Sequence, residues 1–202
     1  MTLPGIILAG GRATRMGGGD KGLRRVAGQR LLDHVIHRLS AQCSPLAINA
    51  NGDPARLAEF GLPVLPDSLP DHPGPLAGVL AGLDWAAGLG APAIITAAAD
   101  TPFFPPDLAA RLVQNAGPSG LCLAASADPS GKMHRQPTFG LWPTALRHDL
   151  RAALQNGLRK IVLWTDSHQA GLAEFSSQPF DPFFNINTPE DIIEAETLMR
   201  QT

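Results

Sequence analysis

The sequence predicts an α/β protein with a mostly parallel sheet. Three observations carry that expectation. Short apolar runs alternate with segments whose apolar residues recur at helical spacing. The first run ends in a glycine-rich loop, as ligand-binding strands of parallel sheets commonly do. No flexible linker, low-complexity tract, internal repeat or strong composition shift marks a second domain.

The elements follow in order. Pro4 to Ala9, PGIILA, is apolar on both faces and stops at Gly10-Gly11, the pattern of a buried parallel strand. Leu31, Leu32, Val35, Ile36 and Leu39 mark a helix, and Leu46-Ala47-Ile48 a second strand. A helix from Pro54 to Phe60, a strand at Val64-Leu65, a helix from Leu76 to Ala87 and a strand from Ala93 to Ala98 continue the alternation. Beyond Pro105-Pro106, Leu108, Leu112 and Val113 line one helical face, with Asp107 at its start, and Gly120 to Ala125 is a strand. Asp128 to Arg135 reads as a hairpin or loop, Pro137 to Trp142 as a strand and Ala145 to Leu154 as a helix. In the last helix, Thr188 to Arg200, Thr188 caps, Pro189 starts the first turn, and Glu190 and Asp191 complement the helix dipole.

Composition excludes several classes. Of 202 residues, 44% are hydrophobic and 17% charged, far from the signature of disorder. A net charge of −2 excludes a broadly basic nucleic-acid or membrane surface. It conceals polarity: residues 1–38 hold seven basic and two acidic side chains, residues 39–110 one and seven. Cys43 and Cys122 are too few for a disulfide framework, which fits a reducing, cytoplasmic setting, and they read as small core residues. No charged segment precedes the first apolar run, so no secretory signal is expected, and Trp85 to Ala99 is broken by Pro92 and ends on Asp100, a poor membrane span. His34 and His37 lack further ligands for zinc, the three tryptophans read as packing residues, and no nucleophile elbow is present.

The first loop carries most of the functional information. Residues 8–24, LAGGRATRMGGGDKGLR, combine Gly10, Gly11, Gly17, Gly18, Gly19 and Gly22 with Arg12, Arg15 and Lys21. Glycines let backbone N–H groups approach an anion, and the cations suit a polyphosphate and its departure as pyrophosphate. Neither familiar phosphate motif fits. Gly17, Gly19 and Gly22 begin too late after the strand for a dinucleotide fingerprint, and Lys21 lacks the flanking residues of a Walker loop. Asp100 ends the strand AIITAAA at the ligand-binding edge; one carboxylate together with phosphate oxygens suffices for Mg²⁺.

The run LAGG-x-x-x-RMGG-x-DKGL from Leu8 to Leu23 resembles the signature of molybdenum cofactor guanylyltransferases, within the wider nucleotidyltransferase group. Further matching segments follow in order: Asn49-Ala50-Asn51, Asp67-Ser68, Pro73 to Gly78, Asp100 to Phe103, and Asn185 to Glu190. The resemblance implies a Rossmann-like three-layer nucleotidyltransferase fold over residues 1–202, with nucleotide and metal bound by the part up to about residue 105 and the acceptor by the remainder. It implies Mg²⁺-dependent transfer of GMP from GTP to the terminal phosphate of molybdenum-molybdopterin, releasing pyrophosphate. It also allows transient contact with cofactor-delivery proteins or molybdoenzyme chaperones.

The same resemblance assigns Arg15 and Lys21 to the triphosphate and leaving group, and Asp100 to Mg²⁺. Leu8, Ala9, Gly10 and Gly11 would line the nucleotide, and Asn49 and Asp67 would bind its base or ribose. Asn185 and Asn187, alternating on an expected strand face, would serve metal or acceptor phosphate. Lys132, His134, Arg135 and Gln136 lie where the family binds the pterin, although many members carry His-Pro where this chain has Gln136-Pro137. Two other activities share parts of this pattern, cytidylyl transfer to the same pterin cofactor and nucleotidyl transfer to a sugar 1-phosphate. Cytidylyl relatives resemble LAAG in the first loop, whereas Gly10 leaves room here for a purine, and sugar-1-phosphate nucleotidyltransferases share the loop.

Overall fold

A computed structural model describes residues 2–10, 20–69, 74–158 and 160–200. Residues 11–19, and with them the expected site residues Gly11 and Arg15, lie outside the described set.

The buried run Gly5–Leu8 forms β1. A short hairpin, β2 (Arg25–Val26) and β3 (Gln29–Arg30), turns at Ala27 and Gly28, both at positive φ as a two-residue hairpin turn requires. The amphipathic helix α1 (Leu31–Ser40) buries Leu31, Leu32, Val35 and Leu39, four of its five expected stripe residues. Strands β4 (Leu46–Asn49) and β5 (Val64–Leu65) follow, linked through a 3₁₀ segment at Pro54–Phe60 where an α-helix was expected. Helix α2 (Pro75–Gly88) is apolar nearly all round and buried, β6 (Ala93–Ala98) is fully buried, and α3 (Leu108–Gln114) follows.

The second half adds β7 (Cys122–Ala127), β8 (Met133–Pro143), α4 (Arg147–Gln155), α5 (Ile161–Ser167), β9 (Gly171–Phe175) and α6 (Pro189–Met199). The expected hairpin is the turn between β7 and β8, and its last residues, Met133 to Arg135, already belong to the strand expected after it: β8 runs eleven residues and pairs antiparallel with both β6 and β7. A register shift between Leu123 and Ala124 opposite it bends the pair. α5 and β9 have no counterpart in the sequence reading.

The main sheet has the order β5-β4-β1-β6-β8-β7-β9, and every ladder not involving β8 is parallel. The chain leaves β1 toward β4 and β5, then crosses to β6 on the other side of β1. That reversal opens a crevice at the carboxyl ends of β1, β4 and β6, where parallel sheets bind ligands. One core, with Ile7, Val35, Ile48, Ile95, Phe104 and Phe139, lies on the α1 and α3 face. The other, with Ile6, Leu80, Leu83, Ile94, Trp142 and Trp164, lies beneath α2, α4 and α5. A third cluster of Val26, Leu31, Phe103, Ile186 and Ala195 docks α6 and the segment before it onto the small hairpin. This docking carries residues 185–187 to the start of the chain. Among the described residues, no helix is long and apolar enough to cross a membrane.

Candidate active site

A cavity of about 400 Å³ opens at this crevice, lined by Leu8, Gly10, Asn49, Asp67 and Asp100 from the expected set. Asn51, Gly74, Pro75, Ala98, Thr138 and Asn185 complete its wall. Ala9 stands behind the cavity, packed against the core, with its N–H donating to the Asn49 carbonyl at 2.9 Å.

At one end lies an amide and carboxylate pair. Asn49 ends β4 with only 4% of its surface exposed. Its Nδ2 donates to the Leu65 carbonyl at 3.1 Å and to Asp67 Oδ1 at 2.9 Å. Asn51 Nδ2 donates to Asp67 Oδ2 at 2.7 Å and its Oδ1 accepts from the Asp67 N–H at 2.9 Å. The Asp67 carboxylate is therefore fixed by two amides, with acceptor capacity left for a ligand hydroxyl or base N–H. α2 comes close enough for this only because residue 78 is glycine: a β-carbon there would stand 2.1 Å from Asn49 Oδ1.

At the other end three oxygens converge on one cation. Lys21 begins the 3₁₀ turn Lys21–Leu23, which packs against Leu32 of α1, and it is 9% exposed. Its Nζ donates to Asp100 Oδ2 at 2.5 Å, to Asn185 Oδ1 at 2.9 Å and to Asn187 Oδ1. Asp100 Oδ1 accepts from the Thr101 hydroxyl at 3.1 Å, and the Asp100 carbonyl accepts from the Ile186 N–H at 3.0 Å. Asn185 and Asn187 belong to no strand, contrary to expectation; they lie in an extended connection before α6. Alternation survives there because Ile186, fully buried, anchors the opposite side. Asp191 Oδ2 accepts from the Asn187 and Thr188 N–H groups at 2.6 and 2.9 Å while Thr188 caps the helix, so the expected cap also fixes Asn187.

Among the described residues, no three His, Cys, Asp or Glu side chains converge as a metal cluster. The oxygens of Asp100, Asn185 and Asn187 are nonetheless hard donors of the kind Mg²⁺ takes, with phosphate oxygens and water completing its shell. The donor set therefore fits that ion.

A chain with this sheet order and this crevice matches the family model described as the MobA-like NTP transferase domain over residues 5–170. The chain belongs to that family. A molybdenum cofactor guanylyltransferase of Bradyrhizobium sp. (strain ORS 278) is 52% identical over 201 residues, covering 97% of this chain and 92% of the relative. Another from Cereibacter sphaeroides is 49% identical over 202 residues, covering 100% and 99%. The fold is similar to that of molybdopterin-guanine dinucleotide biosynthesis protein A from Archaeoglobus fulgidus, with a TM-score of 0.73 at 21% identity over 99% of this chain and 100% of that one. It is also similar to a nucleotidyl transferase from Methanothermobacter thermautotroptrophicus, at TM-score 0.71 and 19% identity over 100% and 99%.

Of the residues expected near the acceptor, Lys132, His134, Arg135 and Gln136 fall on the β7–β8 hairpin, outside the cavity lining. His134 Nε2 is 2.8 Å from Asp128 Oδ2, Arg135 pairs with Asp166 at 2.5 Å and Gln136 donates to the Ser126 hydroxyl at 3.2 Å. The Asp128 carboxyl is held well below its ordinary range, first by the Ser130 hydroxyl and then by His134. Thr138, further along the same strand, does line the cavity. Arg56 is a residue the sequence did not single out: its guanidinium bonds the Asp20 carboxylate, the Asn51 carbonyl at 2.7 Å and the Asp53 carbonyl, tying the exit of the first loop to the Asn51 and Asp67 pair. No motif marks it. His34 binds the Val26 carbonyl at 3.1 Å, His37 is exposed, and both cysteines are buried, as packing roles require.

Proposed function

We propose that the protein transfers GMP from GTP to the terminal phosphate of molybdenum-molybdopterin, giving molybdopterin guanine dinucleotide and pyrophosphate with Mg²⁺. The observation that carries this reading is a single crevice holding a fixed amide and carboxylate pair at one end and a cation in an oxygen cage at the other. The names of the relatives support the choice of nucleotide and acceptor.

In this reading Asn49, Asn51 and Asp67 orient the nucleoside, with the backbone at Leu8, Ala9, Gly10 and Gly11 against the base. Lys21 and Arg15 neutralise the triphosphate. An acceptor phosphate oxygen attacks the α-phosphorus; its bond to the bridging oxygen breaks and pyrophosphate leaves. No side chain forms a covalent bond. The chain's work is positioning and charge neutralisation, the larger part of catalysis in such transfers. Asp100, Asn185 and Asn187 would hold Mg²⁺, which offsets negative charge on the phosphates. Thr138 and the β7–β8 hairpin are the surfaces left for the acceptor.

The test is pyrophosphate release from GTP and the pterin with Mg²⁺. Wild type releases it, and Lys21→Ala and Asp100→Ala each slow it by roughly 10²-fold or more, as loss of one preorganised charge does, with unchanged circular dichroism. Near-normal turnover in either variant removes that residue from the machinery. Activity with CTP alone, or with a hexose 1-phosphate in place of the pterin, overturns the choice of nucleotide or acceptor.

A further inference from the structure

An ammonium group has three N–H donors. All three of Lys21's are committed, to Asp100 Oδ2, Asn185 Oδ1 and Asn187 Oδ1. While Lys21 holds this position it has no donor left for a triphosphate, and Asp100 Oδ2 has a cation already at 2.5 Å. The role given to Lys21 on phosphate therefore requires this contact to open, and a metal on Asp100 Oδ2 would meet the ammonium's like charge there.

We infer that Lys21 is a built-in stand-in for the divalent cation: its ammonium fills the oxygen cage in the nucleotide-free protein and leaves for the triphosphate when nucleotide and metal arrive. The inference rests on the proposed metal-assisted reading of this crevice and deepens it. Its physical basis is charge. The cage brings one carboxylate and two amide oxygens within hydrogen-bond reach of a single point, and Lys21 and Asp100 have only 10% and 19% of their side-chain surface exposed. Asn185 and Asn187 are exposed, but the Asp100 carboxylate is largely buried, and without a cation it would lose its charge partner, which is costly. A lysine on a flexible four-carbon stem can fill the gap and withdraw; an arginine fork could not do so as readily. The anchors on either side are firm, with Ile186 and Phe103 buried in one cluster and Asp191 holding Asn187. The cage thus keeps its form while the ammonium exchanges. Free divalent cation must compete with Lys21, whereas a triphosphate gives the ammonium a new partner, so metal and nucleotide bind cooperatively.

The experiment titrates nucleotide-free protein with Mn²⁺ and follows the bound ion by electron paramagnetic resonance. Lys21→Met, which keeps the stem and deletes the charge, binds Mn²⁺ more tightly than wild type by roughly tenfold or more, because a competing unit charge beside the Asp100 carboxylate has been removed. Unchanged or weaker binding overturns the proposal. Adding Asp100→Asn to Lys21→Met abolishes the gain; if the gain persists, the ion lies elsewhere and the proposal falls.

A second measurement uses the unaltered chain, so it stands even if Lys21→Met fails to fold. Acetylation of the Lys21 amine, read by mass spectrometry, is slow in metal-free protein, faster with saturating Mg²⁺ alone, and slow again once a non-hydrolysable GTP analogue is added. No acceleration by Mg²⁺ overturns the proposal. Neither measurement involves turnover or a pterin, so its outcome is independent of the pyrophosphate assay.

Discussion

Asn49 and Gly78 compete for one space: a single methyl group on Gly78 would stand 2.1 Å from the Asn49 side-chain oxygen. Alanine is the better helix former by about 1 kcal/mol, and Gly78 lies inside α2, so the glycine costs local stability. Its place is explained by what it admits, since Asn49 holds Asp67 at 2.9 Å. Gly78→Ala is expected to displace the buried Asn49 amide from the Leu65 carbonyl and Asp67, at a cost of about 1–3 kcal/mol that lowers the melting temperature despite the better helix former. The KM for GTP then rises by roughly tenfold, about 1.4 kcal/mol of binding, with kcat little changed. Steady-state kinetics check this; an unchanged KM would separate Asn49 from nucleotide binding.

Gly10 presents the opposite case. Among the described residues, a β-carbon there meets nothing within 4 Å, and the residue lines the cavity. Gly10→Ala therefore adds a methyl group to the ligand's space. If the base lies here, GTP loses affinity more than CTP does, since the larger purine has less slack; one methyl group misplaced against a ligand is worth about 1–3 kcal/mol. The measurement is the ratio of the two dissociation constants in wild type and variant. Equal losses for both nucleotides would place the base elsewhere.

These two glycines show how the sequence and the site relate. β1, α1, β6 and the cap of α6 were legible because each is fixed by local signals: an apolar run, a helical stripe, Thr188 before Pro189. The helix at Pro54–Phe60 was legible, though not its 3₁₀ form, while the short α5 was not, since seven residues span too few turns for periodicity to separate them from other conformations. Within the site, Leu8, Asn49, Asp67 and Asp100 were legible because they end or follow strands that the topology places side by side. The contact of Lys21 with Asn185 spans 164 positions and depends on α6 docking onto the small hairpin. No local pattern encodes that distance. Arg56 was invisible for a related reason, since its role comes from three backbone and side-chain partners gathered by tertiary structure.

Thr96 gives a stability prediction away from the chemistry. It is fully buried in β6, and its hydroxyl accepts from Trp142 Nε1 at 2.8 Å and from the Gly140 N–H at 3.2 Å. Thr96→Val preserves shape but orphans two buried donors, costing about 1–3 kcal/mol. Urea unfolding should show a lower midpoint with an unchanged slope. A midpoint equal to wild type would mean that water or another acceptor reaches the indole.

Asp149 sets an acid limit on the outer helices. Its Oδ1 accepts from Trp164 Nε1 at 2.8 Å and lies 2.8 Å from His168 Nε2, which tie α4 to α5 and its C-terminal end. These bonds, His168 first and Trp164 next, hold the Asp149 carboxyl below its ordinary value of 3.8. A carboxyl depressed on folding stabilises the protein above its unfolded value and loses that contribution as pH falls through the lower, folded value. Asp149→Asn keeps an acceptor for the indole and removes only the charge. Wild type is therefore expected to be more stable than the variant above the ordinary carboxyl value of 3.8, with the gap closing as pH falls below it and Asp149 takes up its proton. Chemical unfolding of both proteins at pH values on either side of 3.8 measures this. A gap that is constant across them would show that the charge on Asp149 does not contribute to holding α5 in place.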